Sequence, residues 1–308
     1  MQNSLSTKPF LAHLQANWKW FKTDARHFQI VFLSTFLLYG LFELGWQVEA
    51  SKYAVLISVA VGTQFLFSKR LKIPFSAKSA LITALGLCLL FKANSTYTYA
   101  LAAFVAIAGK FLIRISNKHL FNPANFGVIV PIILTSDGWI SPGQWGTGGM
   151  LLFLMGVAGM FILQKVKRLE TCLTFILVFA GLSFIQNVLY KDWPVDFWLH
   201  QFSNGSVLLF TFFMITDPAT TPNHTKARLI WAAIIAVASF LLAEYLFVFT
   251  APLWVLFFAA PFTYWFDKKW QATQFSWQPK PDTSKEDSNK PMVVLPKSFY
   301  NSIPNSLN

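Results

Sequence analysis

Two short segments hold the residues of this sequence best suited to an ion or a polar ligand. The first reads Phe121-Asn122-Pro123-Ala124-Asn125-Phe126-Gly127. Asn is a favoured helix N-cap and Pro a favoured first helical residue, so Asn122 and Pro123 open a helix. The free N–H groups of such a start attract anions. Asn125 adds an amide that both donates and accepts. A capped helix start with no ligand explains the same residues.

The second segment reads Phe212-Phe213-Met214-Ile215-Thr216-Asp217-Pro218-Ala219-Thr220-Thr221-Pro222, with Lys226 and Arg228 just beyond. Asp217 closes an apolar stretch. A carboxylate costs about 2.5–3.5 kcal/mol at mid-membrane and less toward the interface. Its partners would be a cation, a basic side chain such as Lys226 or Arg228, or the hydroxyls of Thr216, Thr220 and Thr221. A Na⁺ or H⁺ site at Asp217 is one reading; a local turn capped by its carboxylate is the other.

The elements that must position these segments are membrane spans. Apolar residues make up 55% of the 308 residues, aromatic residues 17% and charged residues 12%, against about 25% charged in a typical soluble domain. Ten apolar stretches lie near 28–44, 53–67, 79–91, 98–115, 124–135, 150–166, 172–190, 203–216, 229–247 and 251–266. The loops at 69–72, 110–118, 165–168 and 226–228 are basic, whereas those at 45–51, 136–149 and 246–250 contain no Lys or Arg. Lys92 and Lys191 are the sole bases of the two remaining loops. Positive loops stay cytoplasmic, so one topology fits them all: ten spans with both termini in the cytoplasm. The net charge of +12 follows that distribution and reads as orientation plus attraction to anionic lipid. It supplies no basic face for nucleic acid. Several tryptophans, Trp46, Trp139, Trp145 and Trp193 among them, sit near the expected interfaces, as aromatic belts do.

The expected fold is all-α: a polytopic membrane protein of ten transmembrane helices, arranged as two inverted five-helix repeats with short broken helices. Its parts are a cytoplasmic interfacial segment (1–27), the membrane domain (28–266) and a disordered cytoplasmic tail (267–308). The third, fifth and eighth stretches fall short of the about 20 residues a bilayer needs, and the fifth contains Pro131. Short or interrupted helices at matching places in two halves surround a central site in many transporters. The third stretch opens with Ser76-Ala77-Lys78-Ser79 and the eighth with Ser203-Asn204-Gly205-Ser206. This Ser-x-x-Ser echo is what an inverted repeat would leave, and also what two unrelated capped helices can share.

Other chemistry is sparse. Cys88 and Cys172 have no metal-ligand spacing. No His lies mid-span to ligate haem, and no phosphate-binding loop or nucleophile motif occurs. Glu43, Glu244 and Asp137 lie near external span ends, where solvation accounts for them. Lys110 and Arg114 fit cytoplasmic anchoring.

Asn-Pro-Ala-Asn-Phe-Gly together with Phe-Phe-Met-x-Thr-Asp-Pro-x-Thr-x-Pro resembles the NQR2/RnfD/RnfE family, membrane components of the Rnf electron-transport complex and of Na⁺-translocating NADH:quinone reductase. Asp24-Ala25-Arg26-His27-Phe28 is similar to that family's Asp-x-Arg-His-Phe before the first span. The resemblance, closest to RnfD, implies a membrane component of a flavin-dependent electron-transfer complex in the bacterial inner membrane. Electrons would cross the bilayer, coupled to Na⁺ or H⁺ movement, with other membrane and soluble subunits as partners. It also implies FMN esterified to a Thr of a Ser-Gly-Ala-Thr sequence after the fifth span. Here that loop reads Ser136-Asp137-Gly138-Trp139-Ile140-Ser141-Pro142-Gly143-Gln144-Trp145-Gly146-Thr147-Gly148-Gly149. Thr147 stands near the acceptor position, but Ser-Gly-Ala-Thr is missing. Noncovalent flavin (FMN or riboflavin) is therefore expected, near Asn122, Pro123, Asn125, Thr216, Asp217 and Thr220. The alternative is a non-redox transporter or binding protein for a flavin-like or lipophilic ligand on the same scaffold.

Overall fold

The computed structural model describes residues 24–47, 49–116, 118–146, 149–202 and 204–275. Residues 1–23 and 276–308, most of the expected N-terminal segment and tail, lie outside them, as does Thr147. The described residues are overwhelmingly helical. In chain order they form α1 (Ala25–Phe42), α2 (Ala50–Arg70), α3 (Ala77–Leu90), strand β1 (Phe91–Ala93) and α4 (Thr96–Leu112). A two-residue hairpin, β2 (Arg114–Ile115) with β3 (Lys118–His119), leads into α5 (Pro123–Thr135), and β4 (Gly138–Ile140) then pairs antiparallel with β1. Next come α6 (Gly149–Val166), α7 (Leu169–Phe184) extended by a π-helical turn (Ile185–Tyr190), and the short α8 (Val195–Phe202). α9 (Gly205–Leu209) also runs into a π-helical turn (Phe210–Met214). α10 (Thr225–Tyr245) and α11 (Ala251–Ala259) follow, and a 3₁₀ turn joins α11 to α12 (Thr263–Lys269).

Each of the ten apolar stretches falls on a helix. α1, α2, α7 with its extension, and α10 are 18 to 22 residues long and apolar enough to cross a bilayer. α3, with 14 residues, and α5, with 13, are short. Several element ends differ from the sequence expectation, and one helix is additional. The fourth helix stops at Leu112 because the chain turns into the β2–β3 hairpin. The segment expected to begin the tail at Asp267 is still helical to Lys269. α8 lies where no element was expected.

Two helix pairs organise the interior. α2 packs beside α4, and α7 beside α10. Near the start of α4, Lys92 Nζ donates to Tyr53 OH of α2 over 2.9 Å; near its end, Lys110 Nζ donates to Gln64 Oε1 over 2.7 Å. These contacts make α2 and α4 parallel. α7 and α10 are parallel by the same logic: Arg228 Nε bonds Glu170 Oε1 at 2.8 Å near their starts, and Lys191 pairs with Glu244 near their ends. Lys92 and Lys191, the two exceptions to the charge alternation, are thus both tied to protein partners. Lys92 also lies 5.0 Å from the Trp46 ring centre, and burial pushes its ammonium pKa down to about 8.

α5 approaches α4 closely. A Cβ at Gly127 would lie 2.8 Å from the Ala102 carbonyl oxygen and 2.6 Å from Ala106 Cβ. That proximity explains why the Asn-Phe-Gly sequence ends in glycine. Asp137 also bridges these helices, since its Oδ2 accepts from Ser95 N at 3.0 Å and Thr98 Oγ1 at 2.6 Å. These two bonds hold its carboxyl below the usual range.

Candidate functional site

The two motif segments meet. Asn122 caps α5, its Oδ1 accepting from Asn125 N at 3.1 Å. Its Nδ2 donates to Asp217 Oδ2, also at 3.1 Å. Asp217 follows the π-helical turn that ends α9. Its Oδ1 accepts from Ala219 N at 3.0 Å, and Oδ2 also accepts from Thr220 Oγ1 at 3.3 Å. The carboxylate therefore both caps a local turn and joins that turn to α5. Asn125 is 2% exposed. Its Nδ2 donates to the Leu253 carbonyl in α11 at 3.1 Å, while its Oδ1 is buried without a partner.

Not every expected contact forms. Thr216 turns away, its Oγ1 donating to the Phe212 carbonyl at 2.6 Å. Arg228 serves Glu170 and the Asn223 carbonyl rather than Asp217. Lys226 is exposed. Pro123 is half-buried at the first position of α5 and sets its start.

Basic groups gather beside this joint. Lys118 Nζ, on the β2–β3 hairpin, donates to the Thr221 carbonyl and pairs with Asp267 at 3.0 Å. Asp267 Oδ1 also accepts from Asn223 N at 2.7 Å. The hairpin, the Asp217 turn and α12 are thereby clamped together. Burial lowers the Lys118 pKa, and the charges of Asp267 and Asp217 partly restore it. Burial also pushes His119 down to about 4, so its imidazole is neutral at neutral pH. A pocket of about 390 Å³ opens here, lined by Ser116, Lys118, His119, Asn223, Asp267 and Lys268.

Sequence reading missed one interior group. Lys110, expected as an anchor, points inward and donates to Gln64 Oε1 and to Ser79 Oγ at 2.8 Å. Gln64 is 3% exposed. The available signal was a Gln and a Lys in separate apolar stretches, each at a similar depth from the same membrane face.

At the opposite end, the loop after α5 is drawn into the protein. Trp145 is fully buried, its ring 4.8 Å from that of Trp46 and edge-on to it. Trp46 Nε1 donates to the Gln144 carbonyl at 2.7 Å, and Gln144 Nε2 donates to the Leu89 carbonyl at 2.8 Å. Thr147, the covalent acceptor position, lies outside the described residues. As for noncovalent flavin, Asn122 and Asp217 satisfy each other. Asn125 Oδ1 alone of their side-chain acceptors awaits a donor.

Fold and site together define a class: an all-α, multi-pass membrane protein whose interrupted helices meet at a polar joint. Comparison with known proteins narrows it. Residues 132–275 match the family model described as "NQR2, RnfD, RnfE family". The D component of the ion-translocating oxidoreductase complex of Shewanella loihica is 30% identical over 128 residues, 39% of this chain and 34% of that protein. The D component of the same complex in Shewanella denitrificans is 31% identical over 111 residues, 34% of this chain and 31% of that protein. The matched region thus spans about a third of the length of these curated relatives. Together the matches show that part of this chain is similar to the NQR2, RnfD, RnfE family.

Proposed function

We propose that this chain is a membrane component of a multi-subunit, ion-translocating oxidoreductase complex in the bacterial inner membrane. Its ten spans form two inverted five-helix halves with both termini cytoplasmic. The observation that carries this reading is the Asn122–Asp217 bond. It joins the fifth span of one half to the end of the eighth span in the other, through the two motif segments that carry the resemblance. The parallel packing of α2 with α4 and of α7 with α10 supports the repeat, since these are second and fourth members of each half. Asp217 is the ion-responsive group: a cation or proton arriving there competes with Asn122 and Thr220 for the carboxylate and loosens the joint. Electrons are fed and drained by partner proteins of the complex, and flavin belongs to the proposal on the resemblance alone. Purifying the full-length chain from its own membranes in mild detergent tests the reading. It should bring redox-active membrane partners with it; a chain that purifies alone and colourless from native membranes contradicts it.

A second reading is a transporter or binding protein for a lipophilic ligand. An apolar groove of about 900 Å³ between α10 and α11–α12, lined by Trp231, Ile234, Trp254, Phe258 and Trp265 among others, favours it.

A further inference from the structure

The pocket beside the β2–β3 hairpin takes no part in the ion response proposed for Asp217. On the topology proposed above it opens at the cytoplasmic surface of the membrane, because the hairpin follows the fourth span and α12 closes the tenth. Its volume is about 390 Å³. Part of its lining is apolar, from Ile115, Leu120 and Tyr264; Ile115 and Tyr264 are 38% and 46% exposed. The rest is polar and holds Lys118, Asn223, Asp267 and Lys268. A pocket of this mixed character at a membrane surface borders both lipid chains and lipid headgroups.

The polar groups form one cluster. Asp267 Oδ2 pairs with Lys118 Nζ at 3.0 Å, and Asp267 Oδ1 accepts from Asn223 N at 2.7 Å. The ion pair is mostly buried and neutral overall. Two groups of the same pocket are not satisfied. Lys268 is exposed and has no carboxylate partner among the described residues. Asn223 Oδ1 is buried with no partner, although the backbone N–H of the same residue holds Asp267. The pocket therefore has a spare positive charge and, beside its carboxylate, a spare acceptor. Its complement carries an anion and, a few atoms away, a cationic hydrogen-bond donor. An inorganic anion answers Lys268 alone and meets Asp267 as a like charge. A simple alkylammonium answers Asn223 and Asp267 but meets two lysines.

We propose that this pocket binds the phosphoethanolamine headgroup of a membrane phospholipid. The phosphodiester anion faces Lys268 and the Lys118 side of the ion pair, since ammonium groups make short charge-assisted bonds to phosphate oxygens. The primary ammonium, like that of lysine, has three N–H donors; it faces Asp267 and Asn223 Oδ1. The glycerol and first methylenes rest on Ile115, Leu120 and Tyr264. A choline headgroup has no N–H to give, and a glycerol headgroup brings no charge to Asp267, so selectivity follows from the ammonium. A bound headgroup touches both sides of the Lys118–Asp267 clamp and stabilises the folded protein by mass action. The inference rests on the proposed topology but on neither Asp217 nor the redox partners.

The experiment uses the full-length protein, delipidated in detergent, with native mass spectrometry and thermal melts as readouts. Dioleoyl phosphatidylethanolamine should bind saturably and raise the melting temperature. Phosphatidylcholine and phosphatidylglycerol with the same chains should bind about tenfold more weakly, as for losing a hydrogen bond to a charged group. Lys268→Met and Asn223→Ala should each weaken phosphatidylethanolamine binding by a similar factor. Without lipid, both variants should melt near wild type, because the lysine is exposed and the amide oxygen bonds nothing. If Asn223→Ala fails to fold, Lys268→Met carries the test. Equal binding of the three lipids means contact with the protein surface only and overturns the proposal. Undiminished phosphatidylethanolamine binding in the folded variants does the same. Soluble glycerophosphoethanolamine separates the sources: binding as tight as the lipid's keeps the headgroup and overturns the membrane as its source. A chain that purifies from native membranes without redox partners, yet binds phosphatidylethanolamine through Lys268 and Asn223, contradicts the function proposed above and leaves this site standing.

Discussion

Asn122 Nδ2 reaches Asp217 Oδ2 across 3.1 Å and joins segments 95 residues apart in the chain. Because Asn122 Oδ1 is already committed to capping α5, the amide has one orientation, with Nδ2 toward Asp217. Asp217→Asn would place two NH₂ groups, or an NH₂ and a strained cap, in opposition. A double-mutant cycle between Asn122→Ala and Asp217→Ala should give a coupling of about 1.5–3 kcal/mol, as for a hydrogen bond to a charged group. Thermal melts in detergent measure it. Additive losses would mean the contact does not form.

The two ion pairs that pin α7 to α10 should differ in weight. Arg228 is 6% exposed and also serves the Asn223 carbonyl. Arg228→Met leaves Glu170 without its guanidinium and should cost about 3–5 kcal/mol, as for breaking a buried pair. Lys191→Met removes a more exposed pair and should cost about 0–1 kcal/mol. Equal losses in urea or thermal titrations would refute the distinction.

Gly127→Ala should destabilise by about 1–3 kcal/mol, the range for overpacking. Its new methyl would meet the Ala102 carbonyl, which belongs to the α4 backbone and cannot swing aside. Ala106→Gly in the same chain should recover little, since the carbonyl contact persists; full recovery would contradict this account.

His119 gives a pH dependence. Burial holds its pKa at about 4 in the folded protein, below the ordinary value of 6.5. Between these values the unfolded chain binds the proton and the folded one does not. Stability should therefore fall as pH drops from about 6.5 toward 4. His119→Gln should flatten that part of the profile, and an unchanged slope would show that another group is responsible.

Much of the fold was legible in sequence because hydropathy and loop charge act over whole segments. All ten apolar stretches became helices, and Pro123 and Asn122 marked the start of α5 correctly. What was missed depends on side chains distant in sequence. The inward turn of Lys110 needs Gln64 and Ser79 from two other helices, and its four-carbon stem reads equally well as an interfacial anchor. The β1–β4 pair is three residues long on each side and has no periodicity of its own. Within the site, the sequence marked Asn122, Asp217 and Thr220, which do meet. Thr216 was grouped with them by proximity in the chain, but a helical Thr finds the carbonyl four residues back more readily than a neighbour's carboxylate.

The flavin expectation has a direct check. Purified native protein should show the two visible bands of oxidised flavin, and denaturation in gel should release the fluorescence if attachment is noncovalent. Fluorescence that stays with the denatured chain would place the attachment on a residue such as Thr147.

Redox-driven ²²Na⁺ or proton uptake into inverted membrane vesicles tests the central claim most directly, comparing cells that carry the wild-type chain with cells that carry Asp217→Asn at equal abundance. Uptake that falls at least tenfold, with the complex still assembled, is the expected result. Full uptake from vesicles containing the Asp217→Asn chain would contradict the account.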